Sequence, residues 1–307
     1  MEERGRGMTR ITINLNVLTL DRLFGGDLGA YVEKARAIEE AGIDGVVMPD
    51  HVVFGNDAVY PYGNWTVAPA DSWPEPMTVL SAVAAATHRV KLITNVLIAP
   101  LRSAVLLAKQ VATLHALSGG RFELGVGTGW QKEEYDASGL PFANRGDVLF
   151  DQMRACQALW RERPTYLQSD HVNLDGIWCS PTVTDASPMP LWFGLAPTRT
   201  NARYFATFDG HWSCIKPDPD FVAEGRARLE EALFTGFGIE KRLKVRAAPA
   251  MHCDAAGTPC IDRTMENIHA SVAAGVTEFD IPMMFYARDP KTFDRFLERI
   301  GGVQRDY

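Results

Sequence analysis

The chain has 307 residues, of which 46% are hydrophobic and 22% charged, enough to bury a large core in one barrel domain or two smaller domains. A net charge of -7 without any cluster of Lys and Arg argues against a nucleic-acid-binding face. The polar start of the chain and the absence of a long apolar run argue against a signal peptide and a transmembrane helix. We therefore expect a cytoplasmic protein.

Five scattered cysteines include no CxxC pair, which argues against a disulfide framework and a zinc knuckle. We interpret them as small buried hydrophobic residues of a protein from a reducing compartment. The alternative of a nucleophilic thiol concerns Cys253, which stands beside His252.

Short apolar strands alternate with amphipathic helices along the chain. The first strand, ITINLNV, carries apolar residues at every second position, and Gly42 is a natural stop for the helix that follows. The predicted strands are 11–17, 43–48, 90–98, 121–127, 190–195, 209–215, 244–251 and 277–283. The predicted helices are 27–41, 77–87, 103–117, 145–161, 198–207, 218–235, 262–274 and 290–300. Residues 163–188 are either irregular or a small hairpin.

Eight strands that are each followed by a helix predict an α/β fold, a (β/α)8 TIM barrel with insertions after strands 2 and 4. We expect residues 1–307 to form a single domain. The main rival is an open doubly wound sheet, which is disfavoured because no GxGxxG follows the first strand. In a barrel, the chemistry lies on the loops that follow the carboxyl ends of the strands.

An acid and a histidine, Asp50 and His51, directly follow predicted strand 2. Such a pair can position an imidazole for proton transfer, although a capping aspartate beside a surface histidine is an equally simple interpretation. The insertion behind the pair is rich in aromatic residues, namely Phe54, Tyr60, Tyr62, Trp65 and Trp73. These residues either line an apolar pocket or form the insertion's own small core.

Glycines follow strand 4 in the sequence GVGTGW (125–130), where they would let a planar ligand approach the main chain. Glu133 and Glu134 come next in a charged helical turn; either could serve as an acid, but we interpret them as surface carboxylates. After strand 5, the sequence GLAPTRTN (194–201) opens the predicted helix 198–207. This helix start would suit a phosphate, or it is an ordinary capped helix.

Several common sites have no counterpart in the sequence. There is no HxH or HExxH, so we expect no metal, and there is no GxSxG or Walker loop.

Together and in this order, these motifs resemble the luciferase-like monooxygenase superfamily, most closely its actinobacterial branch of oxidoreductases that use coenzyme F420. The similar segments are AGIDGVVMPDHVVF (41–54), YPYG (60–63), residues 88–146 with LSGGR and GVGTGW, and residues 190–212. The resemblance implies a barrel with its cofactor at the carboxyl ends of the strands, and often a homodimer.

The resemblance also implies roles for matching residues. Asp50 and His51 match an acid-histidine pair near the deazaflavin ring. Asn95 and Val96 match a bulge on strand 3 behind that ring, and we predict a cis peptide between them. The remaining residues implied to bind the cofactor lie on the two glycine-containing loops, namely Gly127, Thr128, Gly129, Gly194, Leu195, Ala196, Thr198 and Arg199.

The sequence departs from the sugar-phosphate dehydrogenase branch at two places. Trp130 stands where that branch has a proton-donating glutamate, and Gly55 stands near the place of a tryptophan. These two departures argue against sugar-phosphate oxidation and favour a larger, more apolar substrate, and we expect Phe54, Tyr62, Trp65 and Trp130 to line its pocket. In the loop 194–201, Pro197 replaces the small polar residue that commonly follows the glycines in the family, close to the implied phosphate site.

The sequence therefore predicts an F420-dependent oxidoreductase that moves a hydride between the deazaflavin and a small neutral or hydrophobic substrate, with His51 and Asp50 as catalytic residues. The alternatives are an FMN-dependent monooxygenase of the same fold and a non-catalytic flavin-binding barrel. Expected partners are the small-molecule substrate and a second copy of the chain, with neither nucleic acid nor membrane.

Overall fold

A computed structural model describes residues 10–61, 70–184, 186–303 and 305. Within these ranges, eight parallel strands form a closed barrel in the order β1-β10-β9-β8-β7-β4-β3-β2. The barrel strands are β1 (Thr12–Asn16), β2 (Gly45–Met48), β3 (Lys91–Ile98), β4 (Phe122–Gly127), β7 (Leu191–Phe193), β8 (His211–Ser213), β9 (Val245–Ala247) and β10 (Val276–Pro282). Each lies inside a predicted strand or within one residue of it, so the predicted TIM barrel is confirmed.

Helices cover the outside of the barrel. They are α1 (Leu20–Leu23), α2 (Ala30–Glu40), α3 (Pro76–Ala86), α4 (Ala104–Leu117), α5 (Lys132–Ala137), α6 (Arg145–Arg161), α7 (Ala202–Thr207), α8 (Pro219–Phe237), α9 (Ile261–Glu266), α10 (His269–Ala274) and α11 (Pro290–Gly301). A separate antiparallel hairpin of β5 (Thr165–Gln168) and β6 (Asn173–Ile177) lies between α6 and β7, which confirms the hairpin interpretation of this segment.

Local sequence signals account for several helix ends. Three helices begin with an acidic residue followed by proline at Glu75, Asp218 and Asp289, and each carboxylate accepts a backbone N–H of the first turn. Gly42 adopts a φ of +79° between α2 and β2, as its predicted role as a helix stop requires.

Two helix predictions were wrong in detail. The predicted helix 262–274 is divided into α9 and α10 around Asn267, and the predicted helix 198–207 begins only at Ala202. In the second case Thr198 and Asn201 form a turn, because the Asn201 side chain donates to the Ala196 carbonyl at 2.9 Å. A side chain that binds nearby backbone competes with the first helical turn.

Alternation along β1 decides what faces the helices and what faces the barrel lumen. Ile13 and Leu15 are buried in the apolar layer between barrel and helices. Asn14, between them, is equally buried but donates to Asp280 of β10 at 2.9 Å. The lumen therefore has a polar lining, which bears on the site above it.

Candidate active site

The two ends of the barrel differ in chemistry. The carboxyl ends of the strands bring together Asp50 and His51 after β2, the β3 bulge and the glycines after β4 and β7. A cavity of about 380 Å³ opens at the opposite end, lined in part by Lys91, Trp192 and His211. We place the candidate site at the carboxyl ends because active sites of this fold lie there.

Asp50 is buried and holds an ion pair with Arg102. Its carboxylate accepts both terminal nitrogens of Arg102, at 2.6 and 3.1 Å, and the backbone N–H of Ile98 at 2.8 Å. These bonds fix the loop after β2 and the side chain of Asp50 within it. Asp50 therefore positions this loop, and its catalytic role stays a prediction.

His51 is oriented by a carboxylate from another loop. Its Nδ1 lies 3.0 Å from Oε2 of Glu134, whose side chain is 0% exposed, and Val52 donates its backbone N–H to Oε1 of the same group. An ionised carboxylate only accepts hydrogen bonds, so it favours the tautomer with the proton on Nδ1. Nε2 is then the ring nitrogen that can exchange a proton with a ligand.

The interpretation of Glu134 as a surface carboxylate was wrong. Gln131, Glu134 and Tyr135 are all buried and share one face of the turn that begins α5, whereas Lys132 and Glu133 point outward. Gln131 accepts the backbone N–H of Gly55 and donates to the Val53 carbonyl at 3.1 Å. Glu134 and Tyr135 follow Gln131 by three and four residues. This spacing places all three side chains on one face of a helix, and it was the signal available in the sequence.

Aromatic rings surround the imidazole of His51. The rings of Phe54, Trp73 and Trp130 have centroids 4.5, 4.8 and 5.5 Å from it, and Tyr60 packs edge-on against Trp130 at 5.5 Å. The structure therefore brings two of the predicted pocket residues beside His51. The other two, Tyr62 and Trp65, lie outside the described residues.

The β3 bulge lies next to these groups. Pairing between β3 and β4 shifts register between Thr94 and Leu97, and the Asn95–Val96 peptide is cis, as predicted. Both residues are partly exposed at the mouth of the barrel, unlike the fully buried Thr94.

Two of the predicted cofactor glycines pack against Val96. A Cβ placed on Gly127 or on Gly194 would lie 2.7 Å from a methyl group of Val96. The predicted reason for Gly127 was the approach of a planar ligand, and Gly194 was predicted to lie close to the cofactor's phosphate; the structure shows that both glycines also make room for the bulge.

The rest of the β4 loop is fixed by its own contacts. Gly129 has a φ of +66°, which favours glycine, and its carbonyl accepts Nε of Arg145 at 3.3 Å. The Thr128 carbonyl accepts the hydroxyl of Tyr135 at 2.5 Å. These bonds tie the predicted cofactor-binding turn to Arg145 and Tyr135.

The loop after β7 is also held by hydrogen bonds. The Leu195 carbonyl accepts the indole N–H of Trp212 at 3.0 Å, and Thr198 accepts the backbone N–H of Asn201 through its hydroxyl at 3.2 Å. Arg199 is exposed at this turn. Because α7 starts only at Ala202, the predicted phosphate site here consists of turn residues and is not a helix end.

A charged cluster fills the lumen beneath the site, and sequence analysis missed it. The fully buried Arg246 forms ion pairs with Glu123 and Glu278 and stacks over Trp192 at 4.0 Å. Burial alone would lower the pKa of Arg246, but the surrounding carboxylates raise it above its ordinary value. The sequence signal for this cluster was the presence of charged residues inside predicted strands, as in KVRAA and TEFDIP.

Among the described residues, no three His, Cys, Asp or Glu side chains come together as metal ligands would. In the same part of the chain, no helix has the length and apolar character needed to cross a membrane.

Two solved structures share the architecture. The coenzyme F420-dependent tetrahydromethanopterin reductase from Methanopyrus kandleri is similar with a TM-score of 0.71 and 15% identity. The oxygenating constituent of 3,6-diketocamphane monooxygenase from Pseudomonas putida, in complex with FMN, is similar with a TM-score of 0.73 and 14% identity. Each alignment covers 96% of this chain and 98% of the other. At these identities the likeness concerns the fold alone.

Sequence relatives and a family model agree with the resemblance described above. An uncharacterized protein of Mycobacterium tuberculosis is 38% identical over 209 residues, which cover 66% of this chain and 71% of that protein. The model of the luciferase-like monooxygenase family matches residues 10–299. The chain belongs to the luciferase-like monooxygenase family.

Proposed function

We propose that this protein is an F420-dependent oxidoreductase that transfers a hydride between the deazaflavin and a small neutral or hydrophobic organic substrate. The observation that carries the proposal is His51, oriented by the buried Glu134 and surrounded by aromatic rings beside the β3 bulge. This arrangement offers one proton-exchanging group in an apolar pocket. Around the imidazole, the described charged groups Glu134, Asp50 and Arg102 are already bound to other protein groups.

The residues at the barrel mouth fit a planar tricyclic group. Gly127 and Gly194 present backbone without side chains, and the Val96 side chain between them gives an apolar surface. Asn95 is partly exposed beside it. Such a surface suits the face of a ring system, while Thr128 and the turn of Thr198 and Arg199 offer polar groups for the remainder of the cofactor.

Bound here, a deazaflavin would supply a carbon that accepts or donates a hydride. The protein has to bind and orient the substrate, exclude water and move one proton. Trp130 and Phe54 provide the apolar wall that excludes water, and Nε2 of His51 gives or takes the proton. Glu134 keeps the proton of the neutral ring on Nδ1, so that Nε2 faces the substrate in a single tautomer.

An FMN-dependent monooxygenase is the second candidate, because a barrel of similar fold binds FMN. Both ring systems are flat tricycles, and the same surface would accept either. The dimeric state and the cytoplasmic location stay predictions.

Parallel titrations of the purified protein with coenzyme F420 and with FMN, followed by quenching of cofactor fluorescence, test the proposal. We expect coenzyme F420 to bind at least about ten times more tightly, a difference of about 1.4 kcal/mol that modest differences in the pocket can produce. Equal or reversed affinities would refute the F420 assignment and favour the FMN-dependent alternative.

A further inference from the structure

Asn95 at the β3 bulge is held from across the barrel lumen. Its Nδ2 donates to Oδ2 of Asp280 on β10 at 2.6 Å, and its Oδ1 accepts the hydroxyl of Ser213 on β8, also at 2.6 Å. Neither strand neighbours β3 in the barrel. Both polar atoms of the side chain are therefore bound by the far wall, which fixes the orientation of Asn95.

Asp280 is the acceptor that joins this contact to the rest of the lumen. Its second oxygen, Oδ1, accepts Nδ2 of Asn14 on β1 at 2.9 Å and lies 3.6 Å from Nε of Arg246 on β9. The side chain is 5% exposed, so the loss of a partner would leave a buried polar group unpaired, at a cost in free energy. Each carboxylate oxygen of Asp280 thus has an amide donor in front of it.

The charges around Asp280 come from four strands. Arg246 on β9 and Lys91 on β3 are the cations of the cluster, and Glu123 on β4 and Glu278 on β10 are its other carboxylates. Burial raises the pKa of Asp280 to about 6, although Arg246 and the two asparagine amides oppose the shift. With Asp280 ionised, three carboxylates face two cations, and one added proton balances them.

We propose that Asp280 is a positioning residue for the candidate cofactor site, and that cofactor affinity depends on the ionisation of this carboxyl because only the ionised form holds the Asn95 amide in the orientation described. The inference rests on the proposed function, since it requires a tricyclic cofactor at the barrel mouth.

Hydrogen-bond direction supplies the mechanism. An ionised carboxylate accepts the amide N–H groups of Asn14 and Asn95 together, whereas a protonated one points its own O–H at one of these two donors. One amide must then rotate so that its oxygen accepts the O–H. Rotation of the fully buried Asn14, whose Oδ1 has no hydrogen-bond partner among the described residues, would leave its N–H groups without an acceptor. Asn95 can rotate without that loss, because its other partner, the hydroxyl of Ser213, can donate or accept. Protonation therefore reverses the Asn95 amide at the bulge and exchanges the positions of its donor and acceptor atoms, beside Val96, which contacts Gly127 and Gly194.

The direct test measures the affinity of the full chain for coenzyme F420 and for FMN between pH 5 and pH 8. Protonation near pH 6 should weaken binding roughly tenfold between pH 7 and pH 5. Asp280→Asn, which resembles the protonated form, should bind roughly tenfold more weakly at pH 7 and show no step near pH 6. The matched control is Ser213→Ala, which removes the other anchor of Asn95 without removing a titrating group. It should bind more weakly at every pH but keep the step.

His51 lies in the same site, so His51→Ala is measured alongside and should keep the step. Proton linkage gives a second readout that needs no variant. Calorimetric titrations of the wild type in two buffers of different ionisation enthalpy should show release of roughly half a proton on binding at pH 6 and almost none at pH 8. This readout stands even where Asp280→Asn fails to fold, which circular dichroism reveals.

The outcomes separate the two proposals. Tight binding without a pH step, a step that persists in Asp280→Asn, or no proton release at pH 6 overturns the role of Asp280 and leaves the proposed function standing. If neither cofactor binds the wild type at any pH, the proposed function is refuted and this inference with it.

Discussion

The contact between Val96 and two glycines makes a prediction about stability that the structure quantifies. In Gly194→Ala, the new methyl group would lie 2.7 Å from Cγ1 of Val96, well inside van der Waals contact. Val96 is β-branched and stiff about χ1, so it cannot easily turn away, and Gly127 closes its other side. Overpacking of this kind costs about 1–3 kcal/mol, and we expect Gly194→Ala to lose that much stability.

The assay is a double-mutant cycle on the free energy of unfolding. Val96→Ala alone should cost about 1–2 kcal/mol, the value for two partly buried methyl groups. In the double variant the clash is absent, so its total loss should be smaller than the sum of the single losses by at least about 1 kcal/mol.

Gly236→Ala is the matched control. Gly236 lies in α8, and a Cβ there meets nothing within 4 Å, so this substitution should leave stability unchanged or raise it by about 0.5–1 kcal/mol. Strictly additive losses in the cycle, or a Gly194→Ala variant as stable as the wild type, would show that Val96 does not pack as described.

Two further predictions concern His51 and Glu134, the carboxylate that orients it. His51→Ala should lower turnover about a hundredfold or more, while cofactor affinity falls by less than about tenfold. Collapse of affinity with normal turnover at saturating cofactor would make His51 a binding residue. Glu134→Gln keeps the shape but leaves one of its two donors, His51 or Val52, without an acceptor. Steady-state kinetics should show about a tenfold or larger loss of turnover with cofactor affinity within about threefold, and unchanged turnover would contradict the orienting role.

Much of the architecture followed from local patterns. Short apolar segments between amphipathic helices predicted the barrel strands, and in β1 the apolar residues recur at alternate positions because a strand between helices and lumen presents its two faces in turn. Gly42 ends α2 because the chain has a positive φ at this position, which glycine adopts readily. A local contact also explains why the start of α7 was predicted too early. The side chain of Asn201 binds the Ala196 carbonyl, and this bond competes with the first helical turn. The bulge at Asn95 and Val96 came from the family resemblance and has no periodic signature.

Long-range pairing was decided only by the tertiary structure. His51 and Glu134 are 83 residues apart in the chain, and Asn14 and Asp280 are 266 apart, yet each pair is within hydrogen-bond distance. In the sequence, Glu134 is one of several charges in a polar turn, and Asp280 is one acid among apolar neighbours. Barrel closure places β10 beside β1. It also brings the loop after β4 into contact with the loop after β2. Burial then requires each polar group to have a partner, and the partner's identity depends on this closure and not on local sequence.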